Sequence, residues 1–186
     1  MTDRPYHHGD LRRALLRGAA ELIAERGPAA FSLRDLARRT GVSHAAPAHH
    51  FGDRTGLFTA LGAEGYALLA DALAGGPGEL SALGARYVAF ATDHPSHFQV
   101  MFRADLVRDD DPELAAARDR AGALLRAAVA GNGGTAAPDT VLAAWALAHG
   151  FASLAGSGAL AGRLAGAAPA ERFPAIARAA ARLADH

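Results

Sequence analysis

FSLRDLARRTGVSHAAPAHHFGDRTGL, residues 31–57, is the stretch that decides the fold. Ser32 stands three residues before Asp35, the spacing at which a hydroxyl caps a helix and an acid answers it. Leu33, Leu36 and Ala37 then fall on the inner side of a short helix. Gly41 breaks that helix, and Ser43 is placed to cap a second short one through about His50. The joint Thr40-Gly41-Val42 suits a tight turn between helices. Gly41 accepts a positive φ, Val42 plugs the angle, and small Ala37 permits close approach. That is the pattern of a helix-turn-helix, whose second helix enters the major groove while helix N-termini and basic side chains hold phosphates. On spacing alone, an ordinary helical hairpin inside a core fits as well.

Outward from this stretch, helix is the only period. Leu11, Leu15, Gly18, Ala19 and Leu22 make one apolar stripe from about Asp10 to Arg26, closed by Gly27-Pro28. Asp53 or Thr55 opens a long helix carrying Leu57, Phe58, Leu61, Leu68 and Leu69, which Gly75-Gly76-Pro77-Gly78 stops. A helix from about Glu79 to Asp93 ends at His94-Pro95, and a short apolar one with Phe98, Met101 and Phe102 follows. Asp111 caps and Pro112 begins a helix reaching about Ala130, where Gly131-Asn132-Gly133-Gly134 breaks it. The last two helices are expected over 138–155 and 169–184, joined by a Gly- and Ala-rich link over 156–168. No segment alternates with period two, so the fold class is all-α, with about nine helices.

Composition narrows the functions. Apolar residues make up 51% of the 186, enough for a buried core. Cysteine is absent, which excludes disulfides, thiolate metal sites and cysteine nucleophiles. The polar start MTDRPYHHGD has no signal-peptide core, and charges or glycines interrupt the Ala/Leu runs. No membrane span and a cytoplasmic location are therefore expected. All nineteen basic residues are Arg, whose planar fork suits phosphate. Residues 1–56 hold nine Arg against six acids, and the remainder ten against thirteen. A modestly positive head on an acidic body fits one anion-facing end.

The string from Phe31 to Leu57 resembles the DNA-binding signature of the TetR/AcrR family: a Thr/Ser-rich start to the second helix, then GVS, then an H-F-x-x-[KR]-x-x-L run. Ser32, Gly41, Val42, Ser43, His50, Phe51, Arg54 and Leu57 stand at matching places, and Glu25-Arg26-Gly27 also matches. Farther on, Trp145, His149 and Gly150 in WALAHG, with HPSHFQVMF from His94, resemble the C-terminal Trp-His-Gly subfamily. The resemblance implies a three-helix helix-turn-helix domain over 1–56 and a helical ligand-binding and dimerisation domain over 57–186. It implies a regulator, usually a repressor, that leaves a palindromic double-stranded operator when a small-molecule effector binds. It also implies a homodimer formed through the last two helices.

Roles carried over by the resemblance are these. Ser32, already a cap, and nearby Arg34 would meet a phosphate; Ser43 would begin the recognition helix; His44 and Ala45 would reach base edges. His49 and His50 would touch the backbone, and Arg54, assisted by Thr55, would hold phosphate at the start of the next helix. Ala48 departs from the pattern, which usually has Tyr there. In the body, Tyr87, Phe90, Phe98, Met101, Phe102, Trp145 and Phe151 are the large apolar residues set among alanines. Tyr87, Phe98, Met101, Phe102, Trp145 and His149 are the candidate ligand contacts, with His97 or His149 as the orienting polar group. Plain core packing is the alternative for each of them.

No cofactor or metal is expected. His44, His49 and His50 lie five and six apart from one another or adjacent, a poor metal spacing. His7-His8 reads as a solvated arm. With no phosphate loop or nucleophile elbow, no enzyme is expected. The alternative function is a helical small-molecule-binding protein that does not bind DNA.

Overall fold

The computed structural model describes residues 8–76, 79–131 and 136–184. His7, Pro77-Gly78 and the break after Gly131 lie outside these residues. Among them the chain is all-helical: α1 (His8–Arg26), a 3₁₀ turn (Pro28–Ala30), α2 (Leu33–Thr40), α3 (Ala46–Phe51), α4 (Arg54–Ala74), α5 (Leu80–Asp93), α6 (Pro95–Met101), α7 (Pro112–Gly131), α8 (Pro138–Gly156) and α9 (Pro169–Ala184). Nine α-helices match the count the sequence suggests.

The helices fall into two compact units, Met1–Gly65 with Ser96–Ala115, and Tyr66–Pro95 with Ala116–His186. This division does not follow the expected boundary at residues 56 and 57. The first unit keeps the start of α4 and recruits α6 and the loop after it. Distant polar contacts explain the recruitment. The Ser96 hydroxyl donates to the Ala20 carbonyl at 2.6 Å, and the Arg108 N–H donates to Thr59 Oγ1 at 2.8 Å. The Arg108 guanidinium also meets Asp53 at 2.8 Å.

The core of the first unit comprises Leu15, Leu16, Ala19, Leu22 and Ile23 from α1, Leu36 and Ala37 from α2, Leu57, Phe58 and Leu61 from α4, and Val100, Met101 and Leu114. Phe31 packs its ring 5.1 Å from that of Phe58. Burying each such side chain contributes about 1.5–3 kcal/mol before ordering costs. In the second unit α5 lies against both α8 and α9, burying Leu83, Tyr87, Val88, Phe90, Phe151 and Phe173. One described helix, α4, is long and apolar enough to cross a membrane, but its Leu57, Phe58, Leu61, Leu69 and Leu73 are buried inside the protein.

Helix ends follow local chemistry. Asp53 caps α4 by accepting from the Gly56 N–H at 2.8 Å, and Asp111 caps α7 by accepting from the Glu113 and Leu114 N–H groups at 3.0 Å. The link between α8 and α9 is a succession of turns, with Gly158, Gly162 and Gly166 at positive φ and Ala165 at φ 51°.

Candidate functional site

The reading of Ser32 as a cap holds in detail. Its hydroxyl oxygen accepts from the Asp35 N–H at 3.1 Å and its proton goes to the Asp35 carboxylate at 2.8 Å. That hydroxyl, with Arg38 and Arg26 beside it, holds the Asp35 carboxyl below the ordinary range. At the other end of α2, Gly41 takes the left-handed conformation (φ 69°, ψ 27°). The Gly41 and Val42 N–H groups both turn back to the Ala37 carbonyl, closing the helix. Ala37 is fully buried.

The start of α3 differs from expectation. The helix begins at Ala46 with Ala45 at its N-cap position, and no side chain caps it. Ser43 instead closes a turn, its carbonyl accepting from the Ala46 N–H at 3.0 Å. The physical reason lies in Ala45 and Pro47. Ala45 is already helical in φ and ψ, and Pro47, in the first turn, brings no N–H that needs a cap.

α3 is amphipathic in a simple way. Within it Pro47 and Phe51 are buried, Ala48 and His49 are exposed and His50 is half-buried, while Ser43, His44 and Ala45 in the turn before it are exposed. Buried Phe51 also lies under Arg12 of α1, whose guanidinium carbon stands 5.8 Å from the ring centroid. The exposed side of α3 is thus a short rod end, anchored by two apolar residues.

Flanking residues take mixed positions. Arg34 is exposed on α2. Arg54 is half-buried, donates to the Pro28 carbonyl, and holds its guanidinium carbon 5.0 Å above the Phe58 ring. Thr55 is half-buried within the first turn of α4.

Sequence reasoning missed the contacts that set the angles. Gly18 marks a close approach of α1 to α2, since a Cβ there would stand 2.8 Å from Thr40 Cγ2. Arg39 reaches from α2 to Glu25 and Glu21 of α1. Gly56 leaves even less room beside the Phe51 carbonyl at the end of α3. Gly18 was legible as part of the apolar stripe; the partners of Arg39 and Gly56 carry no local signal.

The six candidate ligand contacts divide between the units. In the second, Tyr87, Trp145 and His149 converge: the Trp145 indole N–H donates to the Tyr87 hydroxyl at 3.3 Å, and that hydroxyl stands 2.9 Å from His149 Nδ1. Burial pushes the Tyr87 phenol above its ordinary range and pushes the His149 imidazole down. In the first, Phe98 and Phe102 are half-buried with ring centroids 5.3 Å apart, and Met101 is core. His97, also in the first unit and buried, holds Glu64 of α4 at 3.1 Å through Nε2.

The lowered His149 value has a consequence for stability. The unfolded chain takes up the imidazole proton near the ordinary pH of about 6.5, before the folded chain does. The stability linked to neutral His149 is therefore present above that pH and is lost as pH falls toward the folded value. Melting temperature measured from about pH 7.5 down to 5.5 should fall less steeply for His149→Gln than for the unaltered chain. Parallel curves would show that His149 contributes no such linkage.

Among the described residues, no group of three or more His, Cys, Asp or Glu side chains could hold a metal.

Comparison with known proteins bears on both halves. A family model described as bacterial regulatory proteins, tetR family, matches residues 15–61, and one described as tetracyclin repressor-like, C-terminal domain, matches residues 80–183. Over 63 residues the chain is 43% identical to the HTH-type transcriptional repressor Rv3405c of Mycobacterium tuberculosis, covering 32% of this chain and 34% of that one. Over 60 residues it is 42% identical to the HTH-type transcriptional repressor AcnR of Corynebacterium glutamicum, covering 32% of each. The matched part thus spans about a third of these curated relatives. A solved protein of unknown function from Rhodococcus sp. RHA1 superposes with a TM-score of 0.74 at 33% identity, covering 95% of this chain and 96% of that one. With the C-terminal model alone matching more than half of its residues, and the N-terminal model falling on the capped α2, left-handed Gly41 and exposed α3, the chain belongs to the tetR family of bacterial regulatory proteins.

Proposed function

We propose that this chain is a DNA-binding transcriptional repressor whose grip on a palindromic operator is released by a small-molecule ligand. The observation that carries the reading is α3 with the turn before it, in which Ser43, His44, Ala45, Ala48 and His49 are exposed while Pro47 and Phe51 are buried. That is how a recognition helix must stand if it is to enter a major groove. In this reading His44 and Ala45 address base edges, while Ser32, Arg34, His49 and His50 lie toward the phosphates. Arg54 and Thr55 act at the start of α4, where Arg54 also braces Pro28 and Phe58. The head is the matched region in relatives named as repressors, which supports the sign of regulation.

Two recognition helices would come from a homodimer formed through α8 and α9. Leu142 and Leu154 of α8 are 56% and 50% exposed, and the backbone at Gly150 and Gly156 has open space where a Cβ would stand. A second copy covering that face would bury the leucines and exploit the small residues for close helix approach. The head-to-head separation would then be about 34–36 Å or a little more, one helical turn of DNA. Replacing both Leu142 and Leu154 with Glu should shift the protein from dimer to monomer in sedimentation. An unchanged dimer would move the interface elsewhere.

Tyr87, Trp145 and His149 supply the polar anchor for a ligand within the second unit; Phe98, Met101 and Phe102, within the first, are separate candidates. A ligand that prefers the state unable to bind operator lowers DNA affinity by that preference. The deciding experiment is titration of the protein's own upstream DNA at several salt concentrations. Affinity that falls steeply with salt and exceeds that for unrelated duplex supports the repressor. Failure to bind any duplex would favour a helical small-molecule-binding protein instead, a reading to which Ala48, exposed where the family usually has Tyr, gives a specific motive.

A further inference from the structure

From Gly41 to Gly52 the chain contains no Arg, Lys, Asp or Glu; its ionisable side chains there are His44, His49 and His50. His44 and His49 are exposed and His50 is half-buried. A surface meant for a polyanion thus carries imidazoles where fixed cations would be ordinary, and imidazole is the side chain whose charge changes between about pH 5 and 8. We propose that DNA binding by this chain is linked to proton uptake. The head meets the duplex with His44 and one imidazole of the His49–His50 pair protonated. The proposal rests on the DNA-binding reading above.

The charges packed around α3 support this. From α2 come Arg34, Asp35, Arg38 and Arg39; Asp35 already pairs with Arg38 at 2.6 Å, and Arg39 with Glu25 and Glu21 of α1. From α1 comes Arg12, over the Phe51 ring. From the start of α4 come Asp53, paired with Arg108 at 2.8 Å, and Arg54, on the Pro28 carbonyl. Each of these carboxylates is thus engaged with an arginine and does not serve to hold an imidazolium in the free protein. The phosphates of a duplex would do so, through charge-assisted hydrogen bonds. The His49 and His50 rings stand edge to face with centroids 5.6 Å apart. Two imidazolium cations at that separation repel, so a second proton on the pair is disfavoured relative to the first.

One unit of pKa is a factor of ten in the relative stability of the charged form. Each histidine favoured to that extent by phosphate tightens binding by up to about tenfold as pH falls from about 8 to about 6. The test is the Kd of the full chain for a mixed-sequence duplex at fixed low salt across that range. It is repeated with the His44→Gln/His49→Gln/His50→Gln triple variant and with His49→Arg. The unaltered chain should tighten about tenfold or more, and the triple variant should lose most of that slope. His49→Arg should bind more tightly at the alkaline end and show a shallower slope, and this arm decides the matter if the triple variant binds too weakly to follow. Affinity that does not change with pH overturns the proposal while leaving DNA binding intact, and so does a slope that survives both substitutions. No binding at any pH overturns the DNA-binding reading, and this proposal with it.

Discussion

Gly56→Ala should abolish operator binding and cost the fold about 3 kcal/mol, at the upper end of overpacking penalties. A Cβ at residue 56 would stand 2.0 Å from the Phe51 carbonyl oxygen and 3.2 Å from its carbon. The Arg108 guanidinium, 2.8 Å away, can swing aside; the carbonyl cannot, because it closes α3 one residue before Gly52, whose φ is 78°. Relief therefore requires α3 and the start of α4 to separate, and that junction sets the angle at which the exposed side of α3 is presented. The same helix contains its own control. At Gly62 a Cβ would meet Leu114 Cδ1 at 3.4 Å, an ordinary contact, so Gly62→Ala should be neutral or stabilising by up to about 1 kcal/mol through helix propensity. Chemical denaturation of both variants, with a DNA-binding curve for each, checks the pair. Equal effects at 56 and 62 would show that the Phe51 carbonyl does not fix the junction.

The second large effect is expected at Gly84 of α5. A Cβ there would fall 2.2 Å from Phe173 Cε1 and 2.9 Å from Cζ. Although a ring is a side-chain end, this one is 3% exposed and stands 5.6 Å from the Phe151 ring, so it has little space to retreat into. Gly84→Ala should cost about 3 kcal/mol and loosen α9 from α5. Phe173→Leu alone should also destabilise, through the cavity it leaves. The two together should cost less than their sum, because the shorter side chain admits the new methyl. Denaturation of the two single variants and the double variant measures the coupling. Strict additivity would mean that the ring does not sit against residue 84 in solution.

These sites show what the sequence discloses and what it withholds. Ser32, Gly41, Asp53 and Asp111 were legible because a cap or a left-handed turn is a property of a few neighbouring residues. The nine helices were legible because apolar period and Gly/Pro breaks are local as well. Ser43 misled because it has a cap's composition, whereas Ala45 and Pro47 together leave α3 without need of a side-chain cap. Tyr87 and Trp145 stand out in the sequence as bulky residues among alanines and His149 as a polar group, and the three do meet. Phe98, Met101 and Phe102 entered on the same criterion but belong to the other compact unit. Size and polarity identify candidates; which of them share a neighbourhood depends on tertiary packing. Gly56 and Gly84 look like any other glycine until the Phe51 carbonyl and Phe173 ring are known.

The outward-facing Ala48 has a practical use. Because the protein has no thiol of its own, Ala48→Cys would create one uniquely reactive handle per subunit, at a spot where a small probe disturbs no packed neighbour. In the proposed homodimer, a nitroxide or fluorophore attached there would report the gap between the two heads as a spectroscopic distance, and addition of a proposed effector could be followed as that ruler lengthens or shortens.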